Sequence, residues 1–89
     1  MQDRKKELQL AIASIVKNNR KKSITKSAEE IGIGKSIWAD LENGGKDPQM
    51  TTFWRIAEAL ELKPSQLLKE VEEYLGNDFS FLENTSAKK

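Results

Sequence analysis

The chain offers few side chains that could carry out covalent chemistry. Its 89 residues include no cysteine and no histidine, which excludes disulfides, thiolate zinc sites, a cysteine nucleophile and the commonest general base. The acidic pairs Glu29–Glu30 and Glu72–Glu73 cannot act as catalytic dyads, because neighbours on a helix point about 100° apart. The segment Gly32-Ile33-Gly34 lacks the third glycine and the preceding strand of a dinucleotide-binding motif. We therefore expect no enzyme activity, no metal site and no cofactor.

The segment 23–44 is better explained by contact with nucleic acid than by catalysis. This segment is typical of two helices of about eight residues joined by a short turn with a glycine, which is the spacing of a helix-turn-helix. In the second of these helices, Trp38 and Leu41 share one face and are predicted to lie in the core. A helix this short, presented by its N-terminus, fits the major groove of DNA, which is about 12 Å wide. The residues that point away from the core are Lys35, Ser36, Ile37 and Asp40.

The distribution of charge is uneven although the net charge is only +1. Residues 1–46 contain ten basic and six acidic side chains, a net charge of +4, and residues 47–89 contain five and eight, a net charge of −3. The basic half could face DNA, but a solvated surface with an uneven distribution of charge would give the same net charges. The run Arg20-Lys21-Lys22 allows the same two interpretations, a phosphate-binding loop or a solvated one.

The apolar residues recur with helical periodicity and predict five helices. The first covers about residues 4–19, with Asp3 as its cap. The second follows Ser23, whose hydroxyl can accept from free amides of the next turn, and ends at Gly32. The third covers about residues 35–42.

The fourth helix is predicted to begin with Thr51 or a neighbour as its cap. The fifth begins at Pro64, which suits the first helical position, and ends at Gly76. The residues predicted to face inward are Leu8, Ile12, Ile15 and Val16 in the first helix, Ser27, Ala28 and Ile31 in the second, Trp38 and Leu41 in the third, Met50, Phe53, Ile56, Ala57 and Leu60 in the fourth, and Leu67, Leu68, Val71 and Leu75 in the fifth.

Composition is consistent with one small soluble domain. The apolar fraction of 37% and the charged fraction of 33% indicate a thin core and a highly charged surface. No apolar run approaches the roughly 18 residues that a membrane span needs, and the N-terminus lacks the apolar stretch of a signal peptide. We expect a cytoplasmic protein that does not enter membranes.

Three stretches in order along the chain resemble the lambda-repressor-like, xenobiotic-response-element-type helix-turn-helix regulators. The first runs from Ser23 to Ile33 and contains Ala-Glu-Glu-Ile-Gly-Ile. The second, 38–44, contains Leu-Glu-Asn-Gly. The third, 48–60, contains Ile-Ala-Glu-Ala-Leu. With the first helix, the resemblance covers about residues 5–69.

The resemblance implies an all-α fold of five helices whose second and third helices form the helix-turn-helix. It also implies a DNA-binding regulator from a bacterium, phage or plasmid, commonly a dimer on an operator with two-fold symmetry. Carried over by position, the base-reading residues are Lys35, Ser36, Ile37 and Asp40, and the phosphate-binding residues are Ser23, Thr25, Asn43 and Lys46. Glu42 matches a buried acid of the family, and its aligned partner here is Lys17, so the resemblance implies a Lys–Glu pair that is not bidentate.

Three departures from the family pattern put the operator sequence in doubt. Gly34 replaces a serine or threonine in the turn and weakens the cap of the third helix. Ile24 and Ile37 replace residues that are often polar, so Ile24 could pack on the third helix and Ile37 could touch a thymine methyl group. Asp40 is unfavourable near phosphates unless it accepts from a cytosine amine.

The apolar C-terminal part predicts a dimer. Residues 4–69 form the expected DNA-binding domain, 70–82 an extended fifth helix and an apolar tail, and 83–89 a disordered end. An apolar patch left in water marks an interface, which a two-fold dimer would bury from both chains. The predicted interface residues are Trp54, Val71, Leu75, Phe79 and Phe81. The alternative is that Phe79, Phe81 and Leu82 fold back over the first and fifth helices of their own chain.

The sequence thus predicts a transcriptional regulator, a repressor acting as a homodimer on double-stranded DNA, without catalysis. A different class of function stays open, in which the chain is an antitoxin or an adaptor that binds another protein and the helix-turn-helix is mainly structural.

Overall fold

A computed structural model describes residues 4–82 and shows five α-helices without a strand in that range. The helices are α1 (Arg4–Asn19), α2 (Ile24–Ile31), α3 (Lys35–Glu42), α4 (Met50–Ala59) and α5 (Pro64–Leu75). The predicted all-α architecture of five helices is therefore confirmed. The predicted cap Asp3 and the predicted disordered end, 83–89, lie outside the described residues.

The boundaries of α2 follow from local chemistry at its two ends. Ser23 is extended (φ −62°, ψ 159°), and its Oγ accepts from the backbone N–H of Lys26 at 3.1 Å. At the other end Gly32 adopts the left-handed conformation (φ 72°), which costs a glycine little because it has no Cβ. After two residues α3 begins at Gly34, which offers no side-chain cap.

The last two helices begin where backbone geometry allows rather than where a hydroxyl caps them. The N-cap of α4 is Gln49, not Thr51, and it makes no side-chain cap bond. In α5, Pro64 takes the first helical position as predicted, and the Gln66 side chain accepts from the backbone N–H of Lys63 at 2.8 Å. Gly76 ends α5 as predicted.

The core lies between α1 and the other helices. α1 packs against both α3 and α5, while α2 contacts α3 and α4, and α4 contacts α5. The largest side chains that are fully buried are Trp38, Leu41, Ile56, Leu67, Val16 and Val71. This arrangement fixes α3 from its inner face and leaves its outer face open to solvent.

Two predicted core residues are instead on the surface. Met50 is 64% exposed and Leu68 is 47% exposed. Met50 is the first residue of α4 and lies beyond the packed part of that helix. Leu68 lies about 100° around α5 from its neighbour Leu67, which together with Val71 fills the inward positions. The periodicity identified the helix correctly but made its inward stripe too wide.

Just after α3, Gly44 packs closely against α1. Gly44 is buried with φ 78°, and a Cβ atom there would lie 2.5 Å from Cδ2 of Leu10 in α1. The Lys6 ammonium, also in α1, donates to the Gly44 carbonyl oxygen at 3.0 Å. A Cβ at Gly44 would displace Cδ2 of Leu10, which is the end of a side chain that is 48% exposed.

No helix within residues 4–82 is long and apolar enough to cross a membrane.

We expect substitutions of three glycines to separate backbone strain from close packing. Gly32→Ala imposes only the left-handed conformation, since nothing lies within 4 Å of the added Cβ, and should lower the free energy of unfolding by about 1–2 kcal/mol. Gly44→Ala adds the contact with Leu10 and should cost more. Gly45→Ala, without either problem, is the control. Urea denaturation of the three variants measures how much free energy of unfolding each one loses. A loss for Gly44→Ala no larger than that for Gly32→Ala would contradict the packing argument.

Candidate nucleic-acid interface

The outer face of α3 gathers the four residues predicted to contact bases. Lys35, Ser36, Ile37 and Asp40 are all exposed, whereas Trp38 and Leu41 on the inner face are buried. Because residues four apart on a helix lie nearly in line, Ser36 and Asp40 form a single row along this face. The geometry brings these side chains together on one accessible surface.

The predicted phosphate-binding residues lie at the two ends of the helix-turn-helix. Ser23 and Thr25 are exposed at the start of α2, and Asn43 and Lys46 are exposed just after α3. The Ser23 hydroxyl accepts from a backbone N–H within its own helix, so its proton remains available to donate outward. Donors at both ends of the motif are suited to hold the α3 face against a nucleic-acid backbone.

The orientation of α3 depends on Glu42, which is the buried acid implied by the resemblance but has a different partner. Arg20, not Lys17, pairs with Glu42: Nε donates to Oε2 at 2.6 Å and Nη2 to Oε1 at 3.2 Å. The prediction of a Lys17 pair without bidentate geometry is therefore wrong. Lys17 is exposed in the last turn of α1, and Arg20 lies in the loop that follows, from which its planar guanidinium reaches both oxygens.

A third donor completes the Glu42 site. The indole Nε1 of Trp38 donates to Oε2 of Glu42 at 2.7 Å, and the Glu42 side chain is only 6% exposed. Arg20 also donates through Nη1 to the backbone oxygen of Lys22 at 2.8 Å. The carboxylate thus connects the loop before α2 to the C-terminal end of α3. The sequence signal was the spacing of Trp38 and Glu42, four residues apart on one helix, whereas Arg20 precedes Glu42 by 22 residues and gave no such signal.

The basic run Arg20-Lys21-Lys22 is engaged within the chain. Lys22 contacts Glu30 at 2.6 Å, and this hydrogen bond raises the pKa of the Lys22 ammonium above its usual value. Lys21 lies 3.9 Å from Glu61, and both are exposed. Each of these three residues thus has an acidic partner in the same chain, and the contacts of Lys21 and Lys22 are on the surface.

The departures from the family pattern have structural counterparts. Ile24 is partly buried and packs against the core, which explains an apolar residue near the surface. Gly34 forms the extended N-cap of α3 without a side-chain bond, as the sequence predicted. Ile37 is exposed on the outer face of α3 and is free to meet an apolar group of a ligand.

Three of the predicted dimer residues make contacts within their own chain. Val71 is only 1% exposed and belongs to the core, so its assignment to an interface is wrong. Leu75 packs against that core. Phe79 is partly buried, and the Arg4 guanidinium lies 5.8 Å from the centre of its ring. Of the three tail residues in the alternative prediction, Phe79 thus lies against the first helix, whereas Phe81 and Leu82 are exposed.

Two predicted interface residues remain on the surface. Trp54 is 52% exposed on α4, and Phe81 is also exposed, although its ring meets that of Phe79 edge-on at 5.5 Å. Of these, Trp54 lies beside the exposed Met50 and Leu68, around a groove between α4 and α5. Exposed apolar side chains therefore lie on α4 and α5 as well as on the tail.

Within the described range, residues 4–82, no group of acidic side chains is arranged to hold a metal ion. In the same range every buried side-chain nitrogen or oxygen has a hydrogen-bond partner.

A family model described as helix-turn-helix matches residues 12–67, which is well over half of the chain. The matched range includes α2, α3 and α4 completely and extends to Leu67 in α5. No curated protein and no solved structure matched the chain in the corresponding searches.

The Glu42 site should dominate the stability of the α1–α3 junction. Glu42→Ala leaves Arg20 unpaired and the buried Trp38 N–H without an acceptor, so we expect a loss of roughly 3–5 kcal/mol in the free energy of unfolding. Arg20→Lys keeps the charge but loses the guanidinium that bonds both oxygens of Glu42, so it should lower the free energy of unfolding by less. Lys17→Ala is the control and should unfold like the wild type in urea. Equal losses for Lys17→Ala and Arg20→Lys would contradict the observed pairing.

Proposed function

The chain belongs to the lambda-repressor-like, xenobiotic-response-element-type helix-turn-helix family of DNA-binding regulators, and on that premise we propose that it is a sequence-specific repressor. In this proposal it acts as a homodimer on an operator with two-fold symmetry in double-stranded DNA. Its place of action is the cytoplasm of a bacterium or of a phage-infected cell.

The observation that carries the proposal is the division of α3 into two faces. Trp38 and Leu41 are buried in the core, and Glu42 is paired with Arg20 outside the helix, so the rotation of α3 about its axis is fixed. The opposite face presents Ser36 and Asp40 in a row. A short helix held rigidly from behind and exposed in front is what insertion into a major groove requires.

Each exposed side chain of α3 suits a particular base edge. A lysine such as Lys35 donates to the acceptors of guanine, and Ser36 can donate to or accept from several bases. Ile37 fits against a thymine methyl group, and Asp40 accepts from the cytosine amine while repelling phosphates. These residues supply the specificity, and Ser23, Thr25, Asn43 and Lys46 supply contacts to the backbone that set the register.

Repression would follow from occupancy. In a dimer on two-fold symmetric DNA, two α3 helices enter successive major grooves about 34–36 Å apart. The bound dimer then covers the promoter and excludes polymerase.

A second candidate function has its own supporting observation. The exposed groove beside Met50, Trp54 and Leu68 would also suit an antitoxin or adaptor that binds another protein. Selection of binding sites from random duplex DNA distinguishes the two. Enrichment of a palindrome supports the regulator, and the absence of any enriched sequence supports the interaction module.

We expect DNA affinity to depend steeply on salt, because each neutralised phosphate releases counterions with a slope of about −0.9 per contact. Lys46→Ala should make this slope shallower by the contribution of about one phosphate contact, and it should weaken specific and non-specific binding alike. Lys69→Ala removes the same charge from α5, away from the helix-turn-helix, and should leave the slope unchanged.

Ser36→Ala tests base reading separately. It should lower affinity mainly at one base position of the selected site, by about 1–3 kcal/mol for a well-made contact. Ser65→Ala, on the exposed surface of α5, is the matched control. Fluorescence anisotropy against site variants measures both effects. Affinity independent of salt, or a Ser36→Ala loss equal at every base position, would contradict the proposed contacts.

A further inference from the structure

The outer face of α3 combines one apolar side chain with one acid. Of its four outward residues, Lys35, Ser36, Ile37 and Asp40, only Ile37 is apolar, and it is 42% exposed. Asp40 is the only acid among them and is also exposed. An aliphatic group and a carboxylate on the same face ask for different features of a ligand, and together they restrict what that ligand can be.

The carboxylate of Asp40 has no partner among residues 4–82. No hydrogen bond or ion pair within that range involves its side chain. A carboxylate that enters a major groove loses water and faces phosphates, so its position is unfavourable unless a donor meets it. The cytosine N4 amine is such a donor, whereas adenine presents the N7 acceptor beside its amine and guanine and thymine present acceptors that repel a carboxylate.

The side chains of Ile37 and Asp40 are neighbours on the helix surface. Residues three apart on an α-helix have Cβ atoms about 5–6 Å from each other. The Ile37 side chain lies back over the start of α3, since a Cβ atom added at Gly34 would be 3.9 Å from both Cδ1 and Cγ1 of Ile37. Helical side chains lean towards the N-terminus, so the Asp40 carboxylate leans towards the turn that contains Ile37. Both groups therefore face one small region of a bound groove.

We propose that Ile37 and Asp40 together recognise 5-methylcytosine in duplex DNA. This base has the N4 amine and a methyl group on adjacent ring atoms. An accepting oxygen lies about 2.9 Å from its donor, and contacting carbon atoms lie about 3.5–4.0 Å apart. Two side chains about 5–6 Å apart can therefore make both contacts with a single base.

The other pyrimidines satisfy only one of the two side chains. Unmethylated cytosine offers the amine to Asp40 but leaves Ile37 without a methyl group to contact. Thymine offers the methyl group to Ile37, but its O4 oxygen repels the carboxylate of Asp40. Only a cytosine that carries a methyl group on C5 combines the two features on one base.

This inference rests on the proposed reading of DNA by α3 and names a modified base as its ligand. Methyl transfer to C5 of cytosine is the class of reaction that supplies such a base. It would raise the affinity of the regulator for its operator. A methyl group on the cytosine N4 amine would lower the affinity, because it replaces the N–H in the groove that Asp40 requires.

The experiment uses the full-length protein and the duplex that it selects from random DNA. Asp40→Ala first identifies the contacted cytosine, which is the base position where this variant loses its preference. Duplexes then contain cytosine, 5-methylcytosine or N4-methylcytosine at that position in one half-site. The two modified bases are isomers that differ only in the place of the methyl group, and both pair with guanine.

Fluorescence anisotropy should show binding about fourfold tighter for 5-methylcytosine than for cytosine, which corresponds to the roughly 0.8 kcal/mol of one buried methyl-sized group. N4-methylcytosine should bind more weakly than cytosine. Ile37→Ala should remove the gain from 5-methylcytosine. Leu68→Ala, which shortens an aliphatic side chain of similar exposure on α5, is the matched control and should keep the gain. Circular dichroism checks that both variants keep their helices.

Three results would each overturn the inference. They are equal affinities for cytosine and 5-methylcytosine, a gain that persists in Ile37→Ala, and the absence of any base position that depends on Asp40. In each case the selected sequence remains, so the proposed regulator stands. If selection enriches no duplex sequence, the proposed function fails before any modified base is used, and the inference fails with it.

A thymine next to the contacted cytosine would supply the same amine and methyl group on two bases. Uracil in place of that thymine removes only the methyl group and distinguishes the two sources. A loss of affinity with uracil that requires Ile37, without a gain from 5-methylcytosine, would assign Ile37 to the neighbouring base and overturn the inference. A gain from 5-methylcytosine that requires Ile37, with no effect of uracil, supports it.

Discussion

The rest of this structure depends on one carboxylate, that of Glu42. It accepts from both arms of the Arg20 guanidinium and from the indole of Trp38, in surroundings that leave it only 6% exposed. The three side chains lie at different places in the fold. Arg20 is in the loop after α1, Trp38 is on the core face of α3, and Glu42 is the last residue of α3. Charged hydrogen bonds away from water are strong and directional. The two bonds from Arg20 attach the C-terminal end of α3 to the loop after α1, and the burial of Trp38 and Leu41 sets the rotation of the helix.

The two faces of α3 follow from that constraint. With Trp38 and Leu41 buried, Ser36 and Asp40 must point outward, and Gly44 brings the end of the helix close to Leu10 of α1. A DNA-reading surface needs such rigidity, because positions that move by about 1 Å lose the geometry of their hydrogen bonds. The outer surfaces of α4 and α5 are not involved in this scaffold, which leaves Trp54 and Leu68 available for contact with a second chain.

Much of the fold could be predicted from the sequence because its signals are local. Ser23, Gly32 and Pro64 act on the backbone within one turn, so both ends of α2 and the start of α5 agree with the prediction, whereas α4, without such a cap, begins before the predicted Thr51. The errors concern side chains whose surroundings depend on tertiary packing. Arg20 rather than Lys17 reaches Glu42 because the loop after α1 turns back. Met50 and Leu68 have the periodicity of core residues, and only the crossing of α4 and α5 decides that they stay outside. The outward set on α3 was predictable, because the burial of Trp38 determines it.

The central claim, that α3 presents its outer face to DNA while the Glu42 site holds its inner face, is tested most directly by nuclear magnetic resonance of the ¹⁵N-labelled protein titrated with a selected duplex. The account predicts large changes at the backbone amides of residues 34–37 and 43–46. It predicts little change at the Trp38 indole N–H, which stays bonded to Glu42. Changes concentrated on α4 and α5, or loss of the Trp38–Glu42 hydrogen bond on binding, would contradict it.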